Sequence, residues 1–239
     1  MLLTRTRMLF GDKAMETLSQ SKVLLFGLGG VGGSVAEALA RSGIGEMHLV
    51  DNDTVDESNL NRQLFATKET IGMPKTEAAA RRLSLVSDVR LQLFPIFFMP
   101  ENADAIDFSV YDYVIDAVDT VAAKIAIIEH AQAARVPVIT CLGTGNKTDP
   151  GKLLISDLYE TSVCPLAKVM RHECRKRGLE GIKALWSTET PRKTSPLPDM
   201  VLPQGKRSVP ASCAFVPNAA GLLIASRVVR DLIERGGKA

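Results

Sequence analysis

The chain has 239 residues, 46% of them hydrophobic and 23% charged, with a formal net charge of +2 at pH 7; this suits one globular domain with a sizeable core and excludes a polycation. It contains no apolar run close to the about 18 to 20 residues of a membrane span, and its N-terminus lacks the apolar core of a secretory signal. Its four cysteines form no Cys-x-x-Cys pair, which disfavours structural zinc and a disulfide framework, so we expect a cytoplasmic, reducing location.

The N-terminal segment carries Arg5 and Arg7 ahead of a short helix that we predict over Lys13 to Ser19. In one interpretation this segment is a solvated helix. In the other, Arg7 reaches a phosphate, across a dimer interface. The residues themselves leave both interpretations open.

The next stretch alternates strand and helix around a glycine turn. An apolar strand over residues 23–26 leads into the turn at 27–32, then into an alanine-rich helix that ends at Ser42 and a second apolar strand that ends at Asp51. This unit places a nucleotide phosphate at a helix N-terminus, and the acid suits a ribose hydroxyl. The motif alone fits a dinucleotide dehydrogenase as well as an ATP-using enzyme. The glycines of the turn, three of which allow tight turning and close backbone approach, are Gly27, Gly29, Gly30 and Gly32.

The residues after this acid favour a triphosphate. A dehydrogenase has no need of a cation here, whereas leaving pyrophosphate develops charge that an arginine holds by a bidentate contact. Further along, Lys75 begins a helix that we predict to run to about Val86. A lysine there opposes the helix dipole and needs an anion, which a phosphate supplies; the alternative is a solvated lysine without a partner. The polar residues that follow the strand are Asp53, Asn59, Asn61, Arg62 and Gln63.

Three more strands are predicted over Leu91 to Phe98, Tyr111 to Asp119 and Val136 to Cys141, with a helix from Thr120 to Ala134. This alternation predicts an α/β fold, a Rossmann-like, doubly wound, mostly parallel sheet with helices on both faces. Function in such a sheet lies at the carboxyl ends of the strands. The residues expected at that edge are Asp51, Asp116, Asp119 and Gly143.

Asp119 permits two interpretations. It precedes a helix, and Asp is a preferred N-cap residue. It also faces the expected triphosphate, where it is a reasonable Mg²⁺ ligand because hard cations take carboxylate and phosphate oxygens.

The composition changes from about residue 150. Residues 160–210 hold ten Lys or Arg against five acids, a surplus of +5 that suggests an anionic partner such as nucleic acid; the alternative is a solvated loop. We therefore divide the single 1–239 domain into an ATP-binding core (1–150), a basic, partly irregular crossover or substrate segment (151–210) and a C-terminal strand and helix (211–239).

Within the last two parts we predict four features. They are a strand over Lys152 to Ser156, a basic helix over Pro165 to Arg177, no regular structure between Thr188 and Arg207, and a helix over Asn218 to Arg235 with an apolar stripe. Residues 212–217 precede that helix as a strand or as a lead-in.

The order of five motifs resembles the adenylating enzymes of the ubiquitin-activating superfamily, the fold shared by ThiF and MoeB. The motifs are the glycine turn, Asp51-x-Asp53, residues 59–63, residues 72–75 and residues 116–119. Within the superfamily the chain most resembles the tRNA threonylcarbamoyladenosine dehydratases (TcdA or CsdL). Further similar stretches lie at 7–11, 164–168, 186–189 and 215–217.

The resemblance implies a role for each matching residue. Gly29 would let the backbone approach the phosphates, Asp51 would hold the ribose, and Asp119 would hold Mg²⁺. Arg7 resembles the arginine that a partner subunit lends to the active site. The triphosphate would be bound by Asn59, Arg62 and Lys75, and the remaining nucleotide-binding positions are Gly27, Gly30, Gly32, Asp53 and Gln63. The resemblance also implies ATP, Mg²⁺, tRNA and a homodimer, which the apolar C-terminal helix supports, and it leaves a sulfur-relay protein as a possible partner.

We therefore expect an ATP-dependent dehydratase that adenylates the threonine carboxylate of threonylcarbamoyladenosine in tRNA and promotes its cyclisation. One alternative is adenylation of the C-terminal glycine of a sulfur-carrier protein, although the two Cys-x-x-Cys pairs usual in those relatives are absent. Others are a nucleotide-binding scaffold without turnover and a nicotinamide-dependent reductase, which leaves Arg62, Lys75 and Asp119 without a task. Some superfamily members use an acyl-accepting cysteine, for which Cys164 and Cys174 are the nearest candidates.

Overall fold

The computed structural model of the protein describes residues 2–195 and 210–237. Across these two ranges the chain forms seven α-helices and seven strands, joined by loops and short 3-10 turns. The helices are α1 (Thr4–Phe10), α2 (Asp12–Gln20), α3 (Gly30–Ser42), α4 (Lys75–Leu83), α5 (Val121–Ala133), α6 (Pro165–Lys176) and α7 (Phe215–Gly236). The strands are β1 (Lys22–Phe26), β2 (Glu46–Val50), β3 (Arg90–Phe94), β4 (Tyr113–Asp116), β5 (Val138–Cys141), β6 (Leu153–Asp157) and β7 (Lys183–Ser187).

The strands form a single sheet in the order β3-β2-β1-β4-β5-β7-β6. Neighbours are parallel except at one edge, where β6 runs antiparallel to β7. Phe26 at the end of β1 lies opposite both Val50 of β2 and Asp116 of β4, so these three strands finish at the same edge. The mostly parallel, Rossmann-like α/β fold is confirmed.

Alternating side chains of the central strands enter two separate cores. Val23 and Leu25 pack into a core that also contains apolar residues of α3, α4 and α7, whereas Leu24 and Phe26 pack into a core with α5 and α6. A parallel strand that is buried on both faces reads as a continuous apolar run, as β1 does. Helices therefore cover both faces of the sheet, as predicted.

The third strand is shorter than predicted. It ends at Phe94 rather than Phe98, because the next residue is Pro95, which has no N–H to continue the ladder. Residues 96–98 leave the sheet at the edge where β2 also ends, and they become available to line a cavity there.

Strand β7 was missed by the sequence analysis, although it lies between β5 and β6. Its apolar signal is the short run Ala184, Leu185 and Trp186 inside a basic segment, which is too short to separate from a loop. Trp186 is buried, as expected for a core residue, and its Nε1–H donates to the Ser156 hydroxyl at 3.1 Å. Strands β6 and β7 make the basic segment part of the same sheet as the core.

Of the two interpretations of the segment before the last helix, the strand is wrong, and residues 212–214 lead directly into the helix. Residues 210–214 form no strand, and α7 already begins at Phe215. Their backbone bonds go to a loop instead: the N–H of Ala211 donates to Asn146 Oδ1, and the N–H of Asn146 donates to the Ala211 carbonyl, both at 2.7 Å. We expected no regular structure between residues 188 and 207. Part of this segment, including Lys206 and Arg207, lies outside the described residues.

No α-helix in the described ranges is both long and apolar enough to span a lipid bilayer.

Candidate nucleotide site

A cavity of about 370 Å³ opens at the carboxyl ends of β1, β2 and β4. This edge is where ligands bind in open parallel sheets. Apart from Arg7, the sequence analysis predicted eleven residues for the site, and ten of them line this cavity. They are Gly27, Gly29, Gly30, Asp51, Asp53, Asn59, Arg62, Gln63, Lys75 and Asp119.

The glycine turn joins β1 to α3 in a conformation that larger residues would block. Gly27 has a φ of +86°, and a Cβ there would lie 2.8 Å from the carbonyl oxygen of Ala117. A Cβ on Gly32 would lie 1.8 Å from the carbonyl oxygen of Gly27, so Gly32 serves the packing of helix on turn and does not line the cavity. Gly29 faces open space, with no atom within 4 Å of a Cβ built on it. The turn thus leaves room for an anion at the start of α3.

Asp51 follows β2 and is held by the glycine turn itself. Its carboxylate accepts the N–H of Leu28 at 2.6 Å and the N–H of Asp53 at 2.8 Å. Burial raises the pKa of the Asp51 carboxyl above its ordinary value, although Lys75 and the two N–H groups act in the opposite direction. The acid is therefore fixed at the floor of the cavity, one residue beyond the strand.

Lys75 begins α4 with its side chain buried. Its Nζ lies 2.6 Å from Asp53 Oδ2, in an ion pair whose acidic partner is 60% exposed. The anion that a lysine needs at a helix N-terminus is thus supplied by Asp53 in this structure, and the alternative of a solvated, partnerless lysine is wrong. Both residues line the cavity.

The loop after β2 carries a second cation that lines the cavity, Arg62. Arg62 is half-buried, and its Nη1 donates to the Ser58 carbonyl at 2.8 Å and to Asn61 Oδ1 at 2.9 Å. Asn59 closes the preceding turn, because its Oδ1 accepts the N–H of Asp56. Local hydrogen bonds therefore orient the arginine along the cavity wall before any ligand is bound.

Asp119 is exposed at the cavity mouth. Its carboxylate accepts the Thr120 hydroxyl at 3.5 Å and no helix N–H, so the N-cap interpretation is wrong. Among the described residues, no group of three or more Asp, Glu, His or Cys side chains could hold a metal ion. One exposed carboxylate is enough for Mg²⁺ only where waters and phosphate oxygens supply its other ligands.

An apolar wall of the cavity was missed by the sequence analysis. Ile96, Phe97 and Phe98 line one side of the cavity, and Val118 also lines it. Phe97 is 54% exposed although it is a large hydrophobic residue. The apolar run after Phe94 carried the signal, but it was assigned to the strand.

Arg7 lies away from the cavity of its own chain. It is on α1, and its guanidinium pairs with the carboxylate of Asp12 at the start of α2. Neither side chain lines the cavity. A contribution of Arg7 to a nucleotide site therefore requires a second subunit and stays a prediction.

None of the four cysteines, all of which lie in the described ranges, lines the cavity. Burial raises the pKa of the Cys141 thiol to about 12 and that of Cys174 to about 11. Both groups are protonated at neutral pH, and the thiolate is the nucleophilic form. Cys164 is also buried.

Comparison with known proteins gives a consistent result. The ThiF family model matches residues 3–237. The chain is 37% identical to the tRNA threonylcarbamoyladenosine dehydratase of Bacillus subtilis, over 97% of the chain and 94% of that protein. It is 33% identical to the Escherichia coli enzyme of the same name, over 90% and 80%.

A solved structure of the E. coli dehydratase TcdA, in complex with ATP, superposes with a TM-score of 0.85 at 30% identity, covering 98% of this chain and 94% of that one. The fold, the order of motifs and the family match agree over nearly the whole length. The chain belongs to the ThiF family.

Proposed function

We propose that this protein is an ATP-dependent tRNA threonylcarbamoyladenosine dehydratase. It adenylates the threonine carboxylate of the modified adenosine and promotes ring closure, with release of pyrophosphate and AMP. The observation that carries the proposal is the cavity beside the glycine turn, which Arg62, Lys75 and Asp119 all line. The similarity to dehydratases over almost the whole chain selects the substrate.

We propose one orientation for ATP in the cavity. The apolar wall around Phe97 takes the adenine, and the fixed carboxylate of Asp51 takes the ribose hydroxyls. The phosphates then lie along Gly29 and the N-terminus of α3, where backbone N–H groups favour anions. The side chains that contact the phosphates in this orientation are Asn59, Arg62, Gln63 and Lys75, with Asp53 released from its ion pair to the lysine.

The chemistry follows from charge. A carboxylate is ionised at neutral pH, so its attack on the α-phosphorus needs no general base. The attack requires that the negative charges of the carboxylate and the phosphates are shielded from each other and that the reacting atoms are aligned. Arg62 and Lys75 meet both requirements, because their side chains are already held in place. Mg²⁺, held by Asp119, would neutralise charge on the phosphate oxygens.

Ring closure places no further demand on the protein's nucleophiles. The carbamoyl group of the same side chain attacks the activated carboxyl carbon, so the nucleophile is part of the substrate. This agrees with the raised thiol pKa of Cys141 and Cys174, which disfavours the nucleophilic thiolate form at neutral pH.

The tRNA partner fits the charge of α6. Lys168, Arg175 and Lys176 are exposed on this helix, and Arg175 also lies over the ring of Tyr159 at 4.9 Å. Exposed cations that contact phosphates give binding a strong salt dependence. In this function the protein is a homodimer, with Arg7 acting in the partner's site; a sulfur-relay partner stays a prediction.

Pyrophosphate release from ATP tests the function. Threonylcarbamoylated tRNA should stimulate release, whereas unmodified tRNA should not. Stimulation by a sulfur-carrier protein that ends in Gly-Gly, and not by the tRNA, would instead support carrier adenylation. ATP binding without turnover on any of these substrates would reduce the protein to a nucleotide-binding scaffold.

Arg62→Ala tests the phosphate site. We expect it to lower turnover by about a hundredfold or more, because it removes a charged donor that stabilises the transition state. Arg81→Ala is the matched control, since Arg81 is an exposed arginine on α4 whose ion pair with Glu69 lies on the surface. Full activity of Arg62→Ala with an intact fold would show that the phosphate site lies elsewhere.

A further inference from the structure

A lysine lies wholly inside the protein beneath the nucleotide cavity. Lys124 is on α5, and its side chain and that of Asp116 are both 0% exposed. Its Nζ donates to Asp116 Oδ2 at 2.9 Å, to Thr140 Oγ1 at 3.3 Å and to the Cys141 carbonyl at 2.7 Å. All three N–H bonds of the ammonium therefore have partners.

Stability alone is a weak reason for this ion pair. Taking two charges out of water is expensive, and packed apolar residues of similar size are often at least as stable. Lys124 also belongs to a helix whose other buried residues are apolar, such as Ile125, Ile127 and Ile128. We therefore looked for a role of the ion pair in the hydrogen bonds that the Asp116 carboxylate accepts.

Asp116 holds a turn of the cavity wall. It ends β4, its Oδ2 also accepts the Thr140 hydroxyl at 2.5 Å, and its Oδ1 accepts the N–H of Val118 at 3.1 Å. The turn of residues 117–120 lines the nucleotide cavity, whereas Lys124 does not. On its other side the turn meets the glycine turn, because the Ala117 carbonyl leaves no space for a Cβ at residue 27.

We propose that Lys124 is a positioning residue of the nucleotide site. Its ammonium fixes Asp116, and Asp116 fixes the turn of residues 117–120, so that Asp119 faces the phosphates and their metal ion. The inference rests on the proposed function, because it assigns Asp119 to Mg²⁺. It predicts that loss of the network weakens the metal-dependent part of ATP binding.

The test measures ATP binding by calorimetric titration, with Mg²⁺ and with EDTA. The principal variant is Lys124→Met combined with Asp116→Asn, which removes both charges and leaves no buried ion unpaired. We expect its Kd for ATP to rise about tenfold or more with Mg²⁺, as for outer-shell partners of metal ligands, and by less than about threefold with EDTA.

Thr140→Val keeps both charges and nearly the same volume, and it serves if the double variant does not fold. It should show a smaller loss that is again confined to the titration with Mg²⁺. Lys183→Met is the matched control: it removes a lysine 2.6 Å from Asp231 in an ion pair at the opposite edge of the sheet. It should lower the melting temperature and leave both Kd values unchanged.

Two results would overturn the inference. One is wild-type Mg²⁺ dependence in the double variant, or in Thr140→Val if that is the variant that folds. The other is an equal loss of affinity with Mg²⁺ and with EDTA, which a purely structural role would give. Failure of the wild-type protein to bind ATP at all would instead contradict the proposed function.

Discussion

Two lysines near the cavity differ in the exposure of the carboxylate with which each forms an ion pair. Lys124 pairs with a carboxylate that has no contact with water, whereas Lys75 pairs with Asp53, which is largely exposed. When the Lys75–Asp53 ion pair opens, water can solvate the exposed Asp53 carboxylate at little cost in free energy. Lys75 is therefore available to bind a phosphate. The buried pair has no such exchange and keeps its geometry.

Lys75→Met should weaken ATP binding with little effect on stability. We expect the Kd for ATP to rise about ten- to a hundredfold, the value of a hydrogen bond to a charged group, and the free energy of unfolding to change by under about 1 kcal/mol. Titration calorimetry and urea denaturation measure the two effects. Lys68→Met, at an exposed lysine in the preceding loop, is the control, and an unchanged Kd in Lys75→Met would remove Lys75 from the site.

Glu46, at the opposite edge of the sheet, should control stability in acid. Burial raises its pKa, but hydrogen bonds from Lys22, His48 and Arg90 outweigh burial and lower the pKa to about 2. Because the folded pKa lies below the unfolded value of 4.5, the stabilisation is complete above pH 4.5 and is lost as the pH falls from there towards 2.

Glu46→Gln should therefore cost about 1 to 3 kcal/mol of unfolding free energy at pH 7, and the difference from wild type should shrink below about pH 4.5. Urea denaturation across this pH range measures it. Parallel stability curves for the two proteins would contradict the assignment. ATP binding at pH 7 should be unaffected, since Glu46 begins β2 and the cavity lies at its other end.

At the scale of elements, α7 braces the helix that begins at the glycine turn. A Cβ on Gly221 would lie 2.5 Å from the Val31 carbonyl oxygen and 2.6 Å from Ser34 Cβ, both on α3. Ser34 also donates its hydroxyl hydrogen to Asn218 of α7 at 2.5 Å. The close contact fixes the first turns of α3, where the phosphates are proposed to bind.

Gly221→Ala should lower the free energy of unfolding by about 1 to 3 kcal/mol, because the added methyl has no space against the α3 backbone. It should also raise the Kd for ATP, since α3 must shift. Gly237→Ala is the control: a Cβ there meets its first neighbour at 3.5 Å, so its effect should stay within about 0.5 kcal/mol. If Gly221→Ala is as stable as the wild type, α3 and α7 can move apart without strain, which would contradict this prediction.

At the scale of the whole molecule, α1 is unusual because none of its residues is buried. Met8 and Leu9 are 81% and 76% exposed, and Arg7 directly precedes them in the helix. A helix this short gains little from its own propensity and needs packing to persist. A second copy of the chain in the proposed homodimer would supply that packing and would bring Arg7 to the partner's cavity.

Mixing two inactive variants tests this arrangement. Arg7→Ala and Arg62→Ala should each lose activity alone. In an equal mixture that exchanges subunits, half of the dimers are mixed and each contains one intact site, so about one quarter of wild-type activity should return. If Arg7 acts within its own chain, no mixed dimer has an intact site and no activity returns. Pyrophosphate release provides the measurement.

Prediction from sequence succeeded where a local pattern sufficed. The glycine turn, the strands on either side of it and the acid at residue 51 lie in one continuous stretch, and the structure places them as expected. It failed where the outcome depended on distant neighbours. Strand β7 forms because β5 and β6 provide backbone hydrogen-bond partners on both sides. Residues 210–214 form no strand, and Ala211 bonds instead to Asn146 in a loop.

The sequence by itself determined the alternation of strands and helices from β1 to β5, and hence the sheet edge at which the acids and cations meet, because apolar periodicity and glycine conformations are local properties of the chain. Only the tertiary structure decided that Phe97 and its neighbours form part of the cavity wall, that Asp53 pairs with Lys75, and that Lys124 pairs with Asp116 inside the protein. These contacts join residues that are far apart along the chain or hidden beneath the cavity, and their energies come from burial and charge pairing that no short stretch of sequence contains.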